Sequence, residues 1–225
     1  GIRDPEMSRG LGMCIRDRGS ITTADYLPYS DYQKLVQSLI NEKKYWWACY
    51  CILSFCTGLR FSDVCKLKWN DILNQRKVIT MAKKTGKTHV IPIGQNASDH
   101  FTTLYERMGK PDKRDFILAN KKGNENKPVS IQYINRTLKL WAIQYELDID
   151  NFSTHTFRKT FGRYVYEKSG RTEKSLIYLN RIFKHANLDT TMIYLGIRDD
   201  EISSIFNSIE TVSYTHLRAH ETSQD

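Results

Sequence analysis

Residues 45–56 read Tyr-Trp-Trp-Ala-Cys-Tyr-Cys-Ile-Leu-Ser-Phe-Cys, and wound as a helix they are apolar on almost every side. A helix without a polar face has no place at a surface, so it belongs at the centre of a core with other elements packed around it. The other home for such a run is a bilayer. Residues 45–59 fall short of the ~20 apolar positions a span needs, and Thr57-Gly58 interrupts them. With 40% hydrophobic residues in 225, the chain has the material for one sizeable core around this helix.

Amphipathic segments supply the surrounding layer. Tyr29-Ser30-Asp31-Tyr32 opens a helix to about residue 41, with Tyr32, Leu35 and Leu39 on one face. Residues 130–146 place Ile134, Leu138, Trp141 and Tyr145 on one stripe. Shorter helices are predicted over 62–67, capped by Ser62, and over 97–108, 174–183 and 190–194. Another runs from a cap at Ser153 or Thr154 to Gly170. Val78-Ile79-Thr80-Met81 and His89-Val90-Ile91-Pro92-Ile93 read as strands, joined in a hairpin by Lys84-Thr85-Gly86-Lys87. Asp199-Asp200-Glu201 opens a last helix to about residue 209. The expected fold class is mainly α with a small antiparallel β-sheet, α+β.

Both ends read differently. Residues 1–19 and 212–225 lack periodicity and turn logic, and are expected to be non-native or disordered tails around a domain spanning 20–211. The five cysteines, four of them crowded between Cys49 and Cys65, follow neither a zinc pattern nor a disulfide framework. They read as reduced thiols of a cytoplasmic protein, and no membrane partner is expected. The net charge of +9 favours a polyanionic partner, and basic residues cluster at Lys83-Lys84, Lys87, Lys121-Lys122 and Arg158-Lys159.

One set of polar residues carries chemistry. Arg60 ends Thr57-Gly58-Leu59-Arg60, Lys84 lies in the hairpin turn, and His155 and Arg158 form His-x-x-Arg. His185 is followed nine residues later by Tyr194, with Thr190-Thr191 between. The set holds guanidiniums, an ammonium, imidazoles and a phenol, but no carboxylate. It suits a phosphodiester attacked by a side chain rather than hydrolysis at a carboxylate-held metal. Two arginines can neutralise and hold the non-bridging oxygens as charge grows on them. Asp63 offers Arg60 an ordinary ion pair instead. A phenol, with a pKa near ~10, needs a base and nearby cations to act as nucleophile. Neither histidine has metal-like company.

In this order and spacing, from about residue 21 to 209, these residues resemble the catalytic set of the tyrosine recombinases, the phage integrase family. The resemblance implies that family's catalytic-domain fold, mainly helical with one small sheet. It implies catalytic roles for Arg60, Lys84, His155, Arg158, His185 and Tyr194. Tyr194 would be the nucleophile, giving a 3′-phosphotyrosine and a free 5′ hydroxyl. Lys84 would be the general acid for the departing 5′ oxygen, with Lys83 and Lys87 as near competitors. His155 would move the tyrosine's proton, and His185 would donate to a phosphate oxygen. Neither metal nor nucleotide cofactor is needed, because the diester's energy stays in the covalent bond.

The implied partner is double-stranded DNA, cut and rejoined in integrase-like site-specific recombination for a phage or bacterial mobile element. The full-length protein would act as a homo-tetramer. The helix after Tyr194 would pack into a neighbouring protomer or fold back on its own domain. Family members carry an N-terminal helical clamp domain, and the few residues before the first helix are too short to form it. Two other readings stand beside this one: strand relaxation by a type IB topoisomerase, and a truncated fragment that binds DNA without cutting it.

Overall fold

The computed structural model describes residues 24–81, 88–120 and 127–197, without the side chains of Met81 and His89. Helix α1 (Tyr29–Asn41) and helix α2 (Tyr45–Thr57) come first. The short helices α3 (Phe61–Val64) and α4 (Trp69–Ile72) follow. Strands β1 (Lys77–Met81) and β2 (Thr88–Pro92) lead to α5 (Gln95–Arg107) and α6 (Ile131–Gln144). The described part ends with α7 (Thr156–Lys168), α8 (Glu173–Phe183) and α9 (Leu188–Leu195).

Helix α2 takes the central place its composition demands. Residues from Ala48 to Phe55 are buried without a break, and α1, α5 and α7 pack around them. Tyr32, Leu35 and Leu39 of α1 and Ile134, Leu138 and Trp141 of α6 turn inward as their spacing predicts. The strands pair antiparallel, with Val78 opposite Ile91 and Ile79 opposite Val90. Val78 is fully buried and Ile79 is 55% exposed, the alternation of a sheet with one wet face.

Several local details depart from the sequence expectation. Pro28, not a side-chain cap, precedes α1. Arg60 rather than Ser62 occupies the position before α3. Helix α4 forms over a stretch for which the sequence predicts no helix, and the Asp71 carboxylate accepts from the Lys68 backbone N–H at 2.8 Å to hold its first turn. His155, rather than Ser153 or Thr154, stands at the N-cap of α7. The tails, Lys84 and the helix expected over 199–209 lie outside the described residues. The described cysteines, Cys49, Cys51, Cys56 and Cys65, are free thiols, and burial pushes Cys49 up to about 12.

A second apolar cluster joins α7, α8 and α9 through Tyr166, Leu176, Leu179, Phe183, Tyr194, Leu195 and Ile197. Gly162 makes that junction possible. A Cβ built there would lie 2.5 Å from Leu195 Cδ2 and 2.8 Å from Phe183 Cζ. Replacing Gly162 with alanine is therefore expected to overpack the junction and cost about 1–3 kcal/mol. Thermal denaturation should register this as a fall of roughly 2–4 °C per kcal/mol.

Candidate active site

The site begins where α2 stops. Gly58 caps that helix in the left-handed conformation, at φ 58. A Cβ there would come within 2.6 Å of the Phe161 ring, so both backbone and space require glycine. The turn delivers Arg60 to the entrance of α3 with its side chain exposed.

Arg158, in the first turn of α7, is only 5% exposed. Its Nη1 donates to the Gly58 carbonyl, and its Nη2 donates to the Phe183 carbonyl at 2.9 Å. Its guanidinium lies 4.4 Å over the Phe183 ring. Arg60 Nη2 donates to the same Phe183 carbonyl at 3.4 Å. Phe183 is the last residue of α8, so its carbonyl is one of those a helix end leaves unpaired, at the negative pole of the dipole. A backbone acceptor, not a carboxylate, thus draws two guanidiniums together. Arg60 makes no ion pair with Asp63. Burial lowers the Arg158 pKa to about 10, with Arg60 pushing the same way against the pull of Tyr194. The pair is short of negative charge.

Lys184 closes α8 in a left-handed turn, at φ 54, and brings His185 back over the helix end. His185 Nδ1 lies 3.0 Å from Thr191 Oγ1, and its ring stands 5.0 Å from that of Tyr194 at 70°. Tyr194, in the last turn of α9, also meets Phe183 edge-on at 5.4 Å. Its hydroxyl is buried without a hydrogen-bond partner of regular geometry. Burial raises the phenol's pKa, while Arg158 and then Arg60 draw it down. The Lys159 ammonium sits 5.0 Å from the centre of the Tyr194 ring.

His155 is half-buried at the N-cap of α7, and burial, then Arg158, Arg60 and Lys159, lower its pKa. His185 falls further, to about 4, through burial and then Arg158 and Arg60. Both imidazoles are neutral in the folded protein at pH 7. In the unfolded chain they would protonate near 6.5, the value both depart from. Below that pH the unfolded state binds more protons, so stability rises with pH across this range. The two histidines' contribution should be intact above about pH 6.5 and should drain away as the pH falls toward 4. Urea denaturation midpoints measured across that window should fall on acidification, and His185→Gln should flatten the slope.

The structure thus brings Arg60, Arg158, His185 and Tyr194 into one cluster, with His155 electrostatically coupled to it. Lys84 lies outside the described residues. The sequence reading did not single out Lys159 against the nucleophile candidate, or the Thr191 and Asn180 side chains behind His185. The signal available for Thr191 was its place in Thr190-Thr191 before Tyr194. Among the described residues, no group of three His, Cys, Asp or Glu is placed to hold a metal ion, and no helix is long and apolar enough to cross a membrane.

The family model described as "Phage integrase family" matches residues 25–201. The tyrosine recombinase XerC of Proteus mirabilis is 26% identical over 154 residues, 67% of this chain and 47% of that protein. The probable integrase/recombinase YoeC of Bacillus subtilis is 29% identical over 168 residues, 75% of this chain and 86% of that protein. Among solved structures, XerA recombinase superposes with a TM-score of 0.62 at 18% identity, over 83% of this chain and 65% of that one. A lambda integrase dimer bound to a COC′ core site superposes with a TM-score of 0.57 at 20% identity, over 82% and 63%. These likenesses show the fold. The chain spans about half the length of the Xer relatives it matches, 47% and 49%.

Proposed function

The chain belongs to the phage integrase family, and we propose that it breaks and rejoins double-stranded DNA in site-specific recombination through a phosphotyrosine at Tyr194. The observation that carries this reading is the convergence of Arg60 and Arg158 on one helix-end carbonyl, beside a buried phenol whose hydroxyl faces the Arg158 guanidinium and has no partner of regular geometry. Two guanidiniums held together without a carboxylate are prepared for an anion, and a phosphodiester presents its charge on the paired oxygens they can grip.

In the forward step the Tyr194 oxygen bonds to phosphorus and the bond from phosphorus to the 5′ oxygen breaks. The phenolic proton passes to His155, which is neutral at pH 7 and so able to accept it. The 5′ oxygen leaves with a proton from Lys84, the residue the family resemblance assigns. Arg60, Arg158 and a neutral His185 stabilise the charge on the non-bridging oxygens. Attack by a second 5′ hydroxyl reverses every bond change and joins the new strand. The scheme draws on no nucleotide or metal. The net charge of +9 suits the polyanion, and its affinity should fall steeply with salt. The assembled recombinase would act as a tetramer on two duplexes.

Incubation with supercoiled plasmid in low salt and chelator, quenched with detergent, tests this reading. Protein-linked, relaxed DNA is expected. DNA binding without any linked protein would support a binding fragment instead, and relaxation without strand exchange on paired sites would support a topoisomerase.

A further inference from the structure

Behind the site, a line of hydrogen bonds runs from α8 to α9 and ends on His185. Asn180 Nδ2 donates to the Asn187 carbonyl at 2.6 Å and to Thr191 Oγ1 at 3.1 Å. A carbonyl only accepts, so the atom facing it is the amide nitrogen, and the orientation of the Asn180 side chain is fixed. Thr191 Oγ1 therefore already receives one hydrogen bond. Its own proton has to go elsewhere, and Thr191 is fully buried, out of reach of water. Its remaining partner is His185 Nδ1, at 3.0 Å. If that nitrogen carried a proton, the threonine proton would be stranded in the interior, a cost of about 1–3 kcal/mol. The neighbouring Thr190 has a different job: its N–H and hydroxyl both bond Asn187 Oδ1, at 2.8 and 2.6 Å, and cap α9.

We propose that Asn180 and Thr191 are positioning residues that fix the His185 tautomer: the threonine hydroxyl donates to a bare Nδ1, so that Nε2–H is the ring's remaining donor. The relay also ties the ring to α9, the helix that carries Tyr194, so donor and nucleophile keep one register. The purpose of the relay rests on the DNA-cleaving reading; the direction of its hydrogen bonds does not. A neutral imidazole with Nδ1 engaged offers a phosphate oxygen one proton from one defined direction. Without the threonine hydroxyl, Nδ1 must find its own proton or stay unpaired, and the donor is lost for part of the time.

Nitrogen-15 NMR of histidine-labelled protein at pH 7 tests the hydrogen-bond order directly, without calling on activity. His185 should show a protonated Nε2 and a bare Nδ1; a protonated Nδ1 would overturn the proposal. Single-turnover DNA cleavage then tests the purpose. Thr191→Val keeps the shape and removes the hydroxyl. It should slow cleavage on the order of 10–100-fold, by analogy with the loss when the hydrogen-bond partner that orients a metal-bound histidine is removed. DNA affinity should not change. Thr191→Ser should recover most of the rate, and the valine variant should acquire a new titration in its pH profile. Wild-type rate and profile in Thr191→Val would overturn the positioning role. A bare Nδ1 in a wild-type chain that forms no adduct would overturn the functional reading above while leaving the hydrogen-bond order standing.

Discussion

Tyr194→Phe should abolish the covalent protein–DNA adduct, a loss of about 10⁴-fold or more, while leaving the fold and the affinity for DNA in place. Removing a buried hydroxyl usually breaks a hydrogen bond and destabilises the protein. The Tyr194 hydroxyl has no partner of regular geometry, and its contact with the Arg158 guanidinium is a poorly formed bond. Phenylalanine does not bear the cost of burying that hydroxyl, which so poorly formed a bond offsets only in part. Tyr194→Phe should therefore be as stable as the parent or slightly more so in urea denaturation. A large loss of function with no loss of stability is the mark of a group kept for its chemistry. A large loss of both would assign the hydroxyl a structural partner and remove the argument for a nucleophile. Phe183 and His185 still hold the ring edge-on in the variant, so the local packing is unchanged.

The two arginines should separate in the opposite sense. Arg60→Ala removes an exposed side chain with one long hydrogen bond to Phe183. Stability should change by no more than about 0.5 kcal/mol, while cleavage falls about 10²–10³-fold through the loss of one phosphate donor. Arg158→Ala should lose both. It leaves the Gly58 carbonyl without its donor and the Phe183 carbonyl with only the long bond from Arg60, and it opens a gap over the Phe183 ring. Relief of repulsion with Arg60 offsets part of this, so about 2–4 kcal/mol is expected. Lysine should not rescue position 158, because one ammonium cannot span two carbonyls and stack on a ring. Denaturation and single-turnover cleavage measured side by side would check the contrast. Equal destabilisation by the two alanine variants would contradict it.

The exposed Arg60 and the buried Arg158 differ in what the sequence alone makes legible. The central position of α2 followed from residues that leave it no polar face, and Gly58 as its terminator from the turn such a helix needs. Arg60, Arg158, His185 and Tyr194 could be singled out because their side-chain types suit a phosphodiester and their order resembles the integrase set; that they meet in one cluster is what the packing adds. The acceptor that gathers the arginines was not legible, because the Phe183 carbonyl is backbone and has no letter in the sequence. Lys159 lies against Tyr194 only once α7 and α9 have packed, a contact across 35 positions that no local periodicity encodes. The same holds for Asn180 and Thr191, whose bond to each other depends on how the left-handed turn at Lys184 folds α9 back on α8. His155 was read as part of a helix and stands at its cap, a shift of the kind expected at element ends, where hydrogen bonds to side chains and backbone compete. Lys84 was placed by the resemblance and by its hairpin, and its role rests on those.

The proposed chemistry turns on one oxygen. Protein incubated with DNA in chelator, denatured, and digested with nuclease and protease should yield, by mass spectrometry, one modified peptide. That peptide should contain Tyr194, carrying a nucleotide through its 3′ phosphate, and it should be missing from Tyr194→Phe. A nucleotide on any other residue, or an adduct that survives in the phenylalanine variant, would contradict the assignment of Tyr194 as the nucleophile.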